Sequence, residues 1–221
     1  MQQVICTVDV VLLALQDDVL KVALLNRSHE PFQGVAALPG GYIHPREDGD
    51  AQDAALRVLR EKTGITPPYL EQLATFSGPA RDPRGWSVSI VYYALVPPGL
   101  IGDGAHPDMR LASVDKPLKL PFDHLEIIRA AVARLRSKSQ YSSLPCYLAG
   151  DTFTLPQLQR VYESLMGESI NKVSFRRKIG EMDMLEPVEG AYSSGAAHRP
   201  AQLYRLKPGR YEQLALLERG M

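Results

Sequence analysis

Apolar residues fall along this chain in continuous β-branched runs in some stretches and at helical spacing in others, and the order of these stretches sketches its architecture. Residues 4 to 15 and 19 to 25 are rich in β-branched residues and Leu, with Gln16-Asp17-Asp18 between them as a turn, which predicts an antiparallel hairpin. Pro39-Gly40-Gly41 is a breaker that no helix crosses. Beyond it, Ala51, Ala54, Ala55, Val58 and Leu59 recur at helical spacing, with Asp50 as N-cap and Gly64 as the stop. Leu70 to Ser77 and Trp86 to Val96 predict two more strands, and the Pro/Gly-rich segment from Pro97 to His106 predicts a loop. Asp123 and Glu126 read as a capping box opening a helix with the stripe Leu125, Ile128, Val132 and Leu135.

Ser137, Ser139, Ser142 and Ser143 make a short Ser-enriched joint, so one domain is expected over residues 1–138 and a second over 139–221. In the second, Thr154 and Gln157 form another capping box, Leu158, Val161, Tyr162 and Leu165 share a face, and Gly167 ends the helix. Asn171 caps a following helix that buries Phe175, Ile179 and Met182. Strand-like Leu185 to Val188 and Gln202 to Leu206 predict a hairpin with a long tip, and helix, short turn, helix, hairpin is the order of a winged helix-turn-helix.

A composition of 45% hydrophobic and 23% charged residues excludes disordered, collagen-like and coiled-coil chains. Because 25 Lys plus Arg balance 25 Asp plus Glu, any nucleic-acid surface has to be local. Cys6 and Cys146 stand apart, outside any CxxC or Cys/His cluster, which gives neither a disulfide framework nor a zinc site. No basic leader precedes the first apolar run, and no run approaches the roughly 20 apolar residues of a membrane span. A soluble, cytoplasmic protein without a membrane partner is the expectation.

Pro39-Gly40-Gly41-Tyr42-Ile43-His44-Pro45-Arg46-Glu47, with the helix ending Arg57-Val58-Leu59-Arg60-Glu61-Lys62-Thr63-Gly64-Ile65, resembles the Nudix box. Gly41 and Glu47 fit its first part, and Arg57, Leu59, Glu61, Gly64 and Ile65 fit its last. Nine residues separate the parts where the box has seven, and Asp48-Gly49-Asp50 holds the excess. In the resembled enzymes three helical carboxylates at i, i+3 and i+4 hold Mg²⁺, which activates water against phosphorus. Here those positions are Val58, Glu61 and Lys62, an apolar group and an ammonium in place of two anionic ligands. No metal site and no catalytic residue is expected, and hydrolysis should be lost or very weak.

Arg81-Asp82-Pro83-Arg84-Gly85-Trp86 resembles the loop of Nudix proteins that handle ADP-ribose and of related regulators. Guanidinium groups flanking a tight turn suit a pyrophosphate, and Arg27 is a second anion contact. Trp86 or Tyr42 offers a face to adenine, although Trp86 reads more simply as the first core residue of its strand. The ligand-binding set is therefore Arg27, Gly40, Gly41, Glu47, Glu61, Arg81, Arg84 and Trp86. In the second module, Lys172, Arg176, Arg177 and Lys178 fall within seven residues free of acids. With Phe175 and Ile179 inward, Ser174, Arg177 and Lys178 share the outward face expected of a recognition helix, and His198 and Arg199 sit at the hairpin tip, placed for DNA backbone or minor-groove contact.

Phe153-Thr154-Leu155-Pro156-Gln157-Leu158, Phe175-Arg176-Arg177-Lys178-Ile179 and His198-Arg199-Pro200-Ala201-Gln202-Leu203-Tyr204 resemble the DNA-binding module of the NrtR family of Nudix-related transcriptional regulators. The resemblance implies an α+β protein, an N-terminal Nudix α/β/α sandwich followed by a C-terminal winged helix-turn-helix. It implies a homodimeric repressor of NAD biosynthesis or salvage genes, whose affinity for a palindromic double-stranded operator changes when ADP-ribose or a related nucleotide binds, with no cofactor required. Two other readings stay open: a working ADP-ribose pyrophosphatase with an appended oligomerisation domain, and a nucleotide sensor that contacts a protein.

Overall fold

The computed structural model describes residues 4–101, 107–193, 200–207, 214, 216–217 and 221. They divide into two compact units, the first holding most of the chain up to Arg134 and the second taking the chain from Leu135 on together with Leu15–Val19 and Pro97–Gly99. No helix among the described residues is long and apolar enough to cross a membrane.

The expected hairpin is β1 (Ile5–Gln16) and β2 (Val19–Asn26). Its turn residues Asp17 and Asp18 have φ of 53° and 59°, the left-handed values that a type I′ turn requires at both central positions. β1 continues into a mixed sheet ordered β3-β2-β1-β6-β5, where β3 is Ala36–Ala37, β5 is Tyr69–Gly78 and β6 is Ser87–Leu95. β4 (Gly40–Tyr42) pairs with β1, and β7 (Met109–Ser113) pairs with β2. β1 runs parallel to β6 with Ile5 opposite Ser87 and Leu13 opposite Leu95, so its middle is covered on both faces, which is why it reads as an unbroken apolar run.

Helix α1 (Ala51–Thr63) begins where Asp50 accepts the Asp53 N–H and ends at left-handed Gly64. Ala55 and Leu59 pack with Val10, Leu12, Tyr92 and Ala94, while Ala54 and Val58 pack with Val8. Tyr93 points to the other face of the sheet, where its hydroxyl donates to Glu71. Arg134 of α2 (His124–Ser139) donates to Glu71 and to the Leu73 carbonyl, which places α2 on that side. Helices on both faces give the expected sandwich. At the start of α2, Asp123 directs its carboxylate to Arg81.

The Ser-enriched stretch is folded, because Ser139 and Ser142 return their hydroxyls to the carbonyls of Leu135 and Lys138 and are thereby buried. A buried 3₁₀ turn at Leu144–Leu148 follows. α3 (Leu155–Met166) carries the full Thr154–Gln157 capping box and ends at left-handed Gly167. α4 (Lys172–Glu181) starts from Asn171, whose side chain accepts from the Val173 and Ser174 N–H groups. Tyr162 of α3 meets Phe175 of α4 edge to face at 5.5 Å, and β8 (Leu185–Tyr192) pairs with β9 (Gln202–Leu206). Phe153 and Tyr204 exchange backbone hydrogen bonds, an isolated bridge that ties the residue before the α3 cap to β9.

Candidate functional site

A cavity of about 410 Å³ opens in the first unit, and Arg27, Gly40, Gly41, Glu61, Arg81 and Arg84 of the expected set line it. Its floor is a buried polar network. Asp9, on β1, accepts from the Ser89 hydroxyl at 2.6 Å and from Arg81 at 3.5 Å. Arg81 also makes a two-point contact to Asp123, at 2.9 and 3.0 Å, and reaches Ser87 at 3.3 Å. Every nitrogen of this guanidinium is committed and its side chain is only 8% exposed, so Arg81 holds the floor together instead of presenting a free anion site. His124 accepts the Leu38 N–H through Nδ1 and turns Nε2 towards Asp9 at 3.7 Å. Burial, joined by the charges of Arg81 and Arg27, lowers its pKa against the pull of Asp9 and Asp123, so it stays neutral.

Three other cations border the cavity, each with a partner of its own. Arg27 donates to the Pro31 carbonyl at 2.7 Å and lies 4.9 Å over the ring of Phe122, which also lines the cavity. Arg84 pairs with Asp82 and donates to the Tyr42 hydroxyl at 2.7 Å. Burial pushes the Asp82 carboxyl up, but the Arg84 hydrogen bonds and charge prevail and lower it. Lys62, although exposed as a residue, places its ammonium on the Gly40 carbonyl, and dehydration together with the Arg27 charge lowers its pKa.

Two members of the expected set stand elsewhere. Glu47 does not line the cavity, because its carboxylate turns to His44 at 3.2 Å. Trp86 does not line it either and is no core residue: it precedes β6 and is 42% exposed. The aromatic groups in the cavity are Tyr42 and Phe122. Nothing in the sequence distinguished Phe122 from an ordinary residue of a Pro-containing loop.

The two extra residues of the box have local tasks. Asp48 takes both Nε and Nη2 of Arg57, at 2.7 and 2.9 Å, and that hydrogen bonding holds its carboxyl at about 2; Asp50 caps α1. Val58 is buried against Gly41, where an added Cβ would sit 3.1 Å from its methyl. Among the described residues no three of His, Cys, Asp and Glu come together as a metal cluster, and the Val58, Glu61 and Lys62 positions do not fit Mg²⁺.

On α4, Phe175 and Ile179 are buried as expected. The exposed residues are Lys172, Val173, Arg176, Arg177, Gly180 and Glu181, whereas Ser174 and Lys178 are half-buried, so the outward face is turned from the expected one. Phe175 and Ile179 set its direction, and Val173 lies closer to the opposite pole than Lys178 does. His198 and Arg199 lie outside the described residues.

A Nudix sandwich joined to a winged helix is the class that this fold and these sites define. The NUDIX domain family matches residues 7–131, and the NrtR DNA-binding winged helix domain matches residues 145–206. The chain belongs to the NrtR family. It is 38% identical over 203 residues to the ADPR responsive transcriptional repressor NtrR of Acinetobacter baylyi, covering 90% of this chain and 80% of that protein. It is similar to the crystal structure of Shewanella oneidensis NrtR complexed with a 27mer DNA, with a TM-score of 0.90 and 39% identity over 98% of this chain and 99% of that one. The NUDIX domain of that protein complexed with ADP ribose matches 61% of this chain and 90% of its own, with 38% identity and a TM-score of 0.56.

Proposed function

We propose that this chain is a transcriptional repressor that binds operator DNA through α4 and the wing, and whose hold on DNA is set by ADP-ribose or a related nucleotide in the first unit's cavity. The observation that carries the reading is one chain joining a cavity bordered by Arg27, Lys62 and Arg84 to a capped helix that exposes Lys172, Arg176 and Arg177. The names of the relatives, a repressor responsive to ADP-ribose and a protein crystallised with DNA, support it. Residues 1–138 serve ligand sensing and 139–221 serve DNA. The protein acts as a homodimer on a palindromic site, controls genes of NAD biosynthesis or salvage, and needs no cofactor.

Catalysis is lost in this reading. Support comes from Val58, which packs into the core where the resembled enzymes need a carboxylate, and from Lys62, whose cation repels a metal. Glu61 remains at the cavity, but its carboxylate is engaged by Arg57. Within the cavity, Arg27 and Arg84 receive the pyrophosphate, Gly40 and Gly41 let the lining strand close on Asp9 and Val58, and Arg81 positions the floor.

A gel shift on DNA from upstream of the chain's own and neighbouring genes, with and without ADP-ribose, tests the first part. A shifted band whose intensity responds to ADP-ribose is expected, and no retention of any fragment overturns the reading. Incubation of ADP-ribose with the protein and Mg²⁺ or Mn²⁺ tests the second. Release of AMP within the ordinary enzymatic range, about 1 to 10³ per second, would make it a pyrophosphatase instead.

A further inference from the structure

Val173 is the residue of α4 that neither the core nor the charge pattern explains. It is 76% exposed, above every other exposed large apolar residue described. At about 100° per residue, it and Arg177 lie close to the pole opposite Phe175 and Ile179, at the centre of the outward face. A β-branched residue gains nothing as a helix former at an exposed site. The first turn that carries it is held firmly, since the Asn171 side chain accepts from Val173 and Ser174 at 3.0 and 3.1 Å.

The surroundings decide what such a group can meet. Lys172, Arg176 and Arg177 place cations around one isopropyl group, and the acid of this face, Glu181, stands in the last turn beside Arg177. A partner must therefore offer anions at the rim and a small apolar group at the centre. The major groove of duplex DNA presents that pair: phosphates along its walls and, among all base edges, one apolar group, the 5-methyl of thymine.

We infer that Val173 reads thymine, its isopropyl group packing on the 5-methyl of one thymine in each half-site. The inference rests on the DNA reading above and adds a base identity to it. Arg177, one turn further on the same face, contacts the neighbouring step, and the exposed Gly180 keeps that end of the face low.

The test begins with a duplex enriched by the purified full chain from a randomised pool. Each thymine is then replaced singly by uracil, which removes only the methyl and leaves every hydrogen-bonding group in place. At one thymine per half-site the wild-type protein is expected to lose about fourfold in affinity, the worth of one buried methyl. Val173→Ala should bind the thymine and uracil duplexes equally, and Val173→Thr, which keeps a methyl, should discriminate again. Because Val173 contributes nothing to the core, neither variant should melt appreciably below the wild type, and Val173→Ala should gain slightly as the better helix former. A flat uracil profile, or full discrimination retained by Val173→Ala, overturns this inference and leaves the DNA reading intact. If the pool enriches no sequence, the DNA reading itself fails and the inference falls with it.

Discussion

A Cβ on Gly40 would lie 2.1 Å from Asp9 Oδ1 and 3.0 Å from the Val8 carbonyl oxygen, and Asp9 cannot swing aside because Ser89 and Arg81 hold its other oxygen. Gly40→Ala is therefore expected to cost about 1–3 kcal/mol, as overpacking does, and to weaken ADP-ribose binding by distorting the cavity floor. Denaturant unfolding and titration calorimetry check the two effects; an unchanged midpoint would show that the floor yields freely. His124 gives the site a pH dependence of definite sign. Its folded pKa is lowered by burial, so below the unfolded value of about 6.5 the unfolded chain takes up a proton that the folded chain refuses. Its contribution to stability thus declines as pH falls below about 6.5 and is flat above it. Melting temperatures from about pH 7.5 down to about pH 5.5 should fall more steeply in the wild type than in His124→Gln, which keeps an acceptor for the Leu38 N–H.

Elements whose signals are local were legible before any fold was known. The α3 box is an example: Thr154 and Gln157 satisfy each other's backbone within four residues, and Thr154→Ala should cost about 1 kcal/mol in an unfolding experiment, with Gln157→Ala smaller. The Asp50 and Asn171 caps, the Gly64 and Gly167 stops and the Asp17-Asp18 turn belong to the same class. Signals that depend on distant partners were not legible. β3 and β4 span two and three residues and exist only because β2 and β1 pair with them. The parallel pairing of β1 with β6 joins residues some eighty positions apart, and it brings Asp9 beside Ser89. Arg81 read as a ligand contact because its loop motif is visible while Asp123, 42 positions away, is not visible as its partner. Asp123 in turn read as a helix cap for the same reason. On α4 the charges drew the outward face towards Ser174 and Lys178, when the geometry of Phe175 and Ile179 centres it on Val173 and Arg177.

For the molecule as a whole, the proposed sensing has to appear as a coupling free energy, because occupancy of a cavity in one unit alters DNA affinity in another only if the nucleotide binds the DNA-competent and DNA-incompetent states unequally. A coupling of about 1–3 kcal/mol corresponds to a 5- to 150-fold change in operator affinity. Linkage makes the effect reciprocal: whatever factor ADP-ribose imposes on operator binding, saturating operator must impose on ADP-ribose binding. Titration of ADP-ribose into free protein and into the operator complex, beside operator titrations with and without ADP-ribose, should return the same factor twice. Arg84→Ala, which removes a cation from the cavity and none from α4, should weaken ADP-ribose in both titrations while leaving operator affinity without ligand unchanged. Arg177→Ala should do the reverse, lowering operator affinity by about 1–3 kcal/mol and sparing the nucleotide. Unequal factors in a closed cycle would mean that ADP-ribose is consumed or that a second ligand is being released, and a simple two-site sensor would then be the wrong description of this chain.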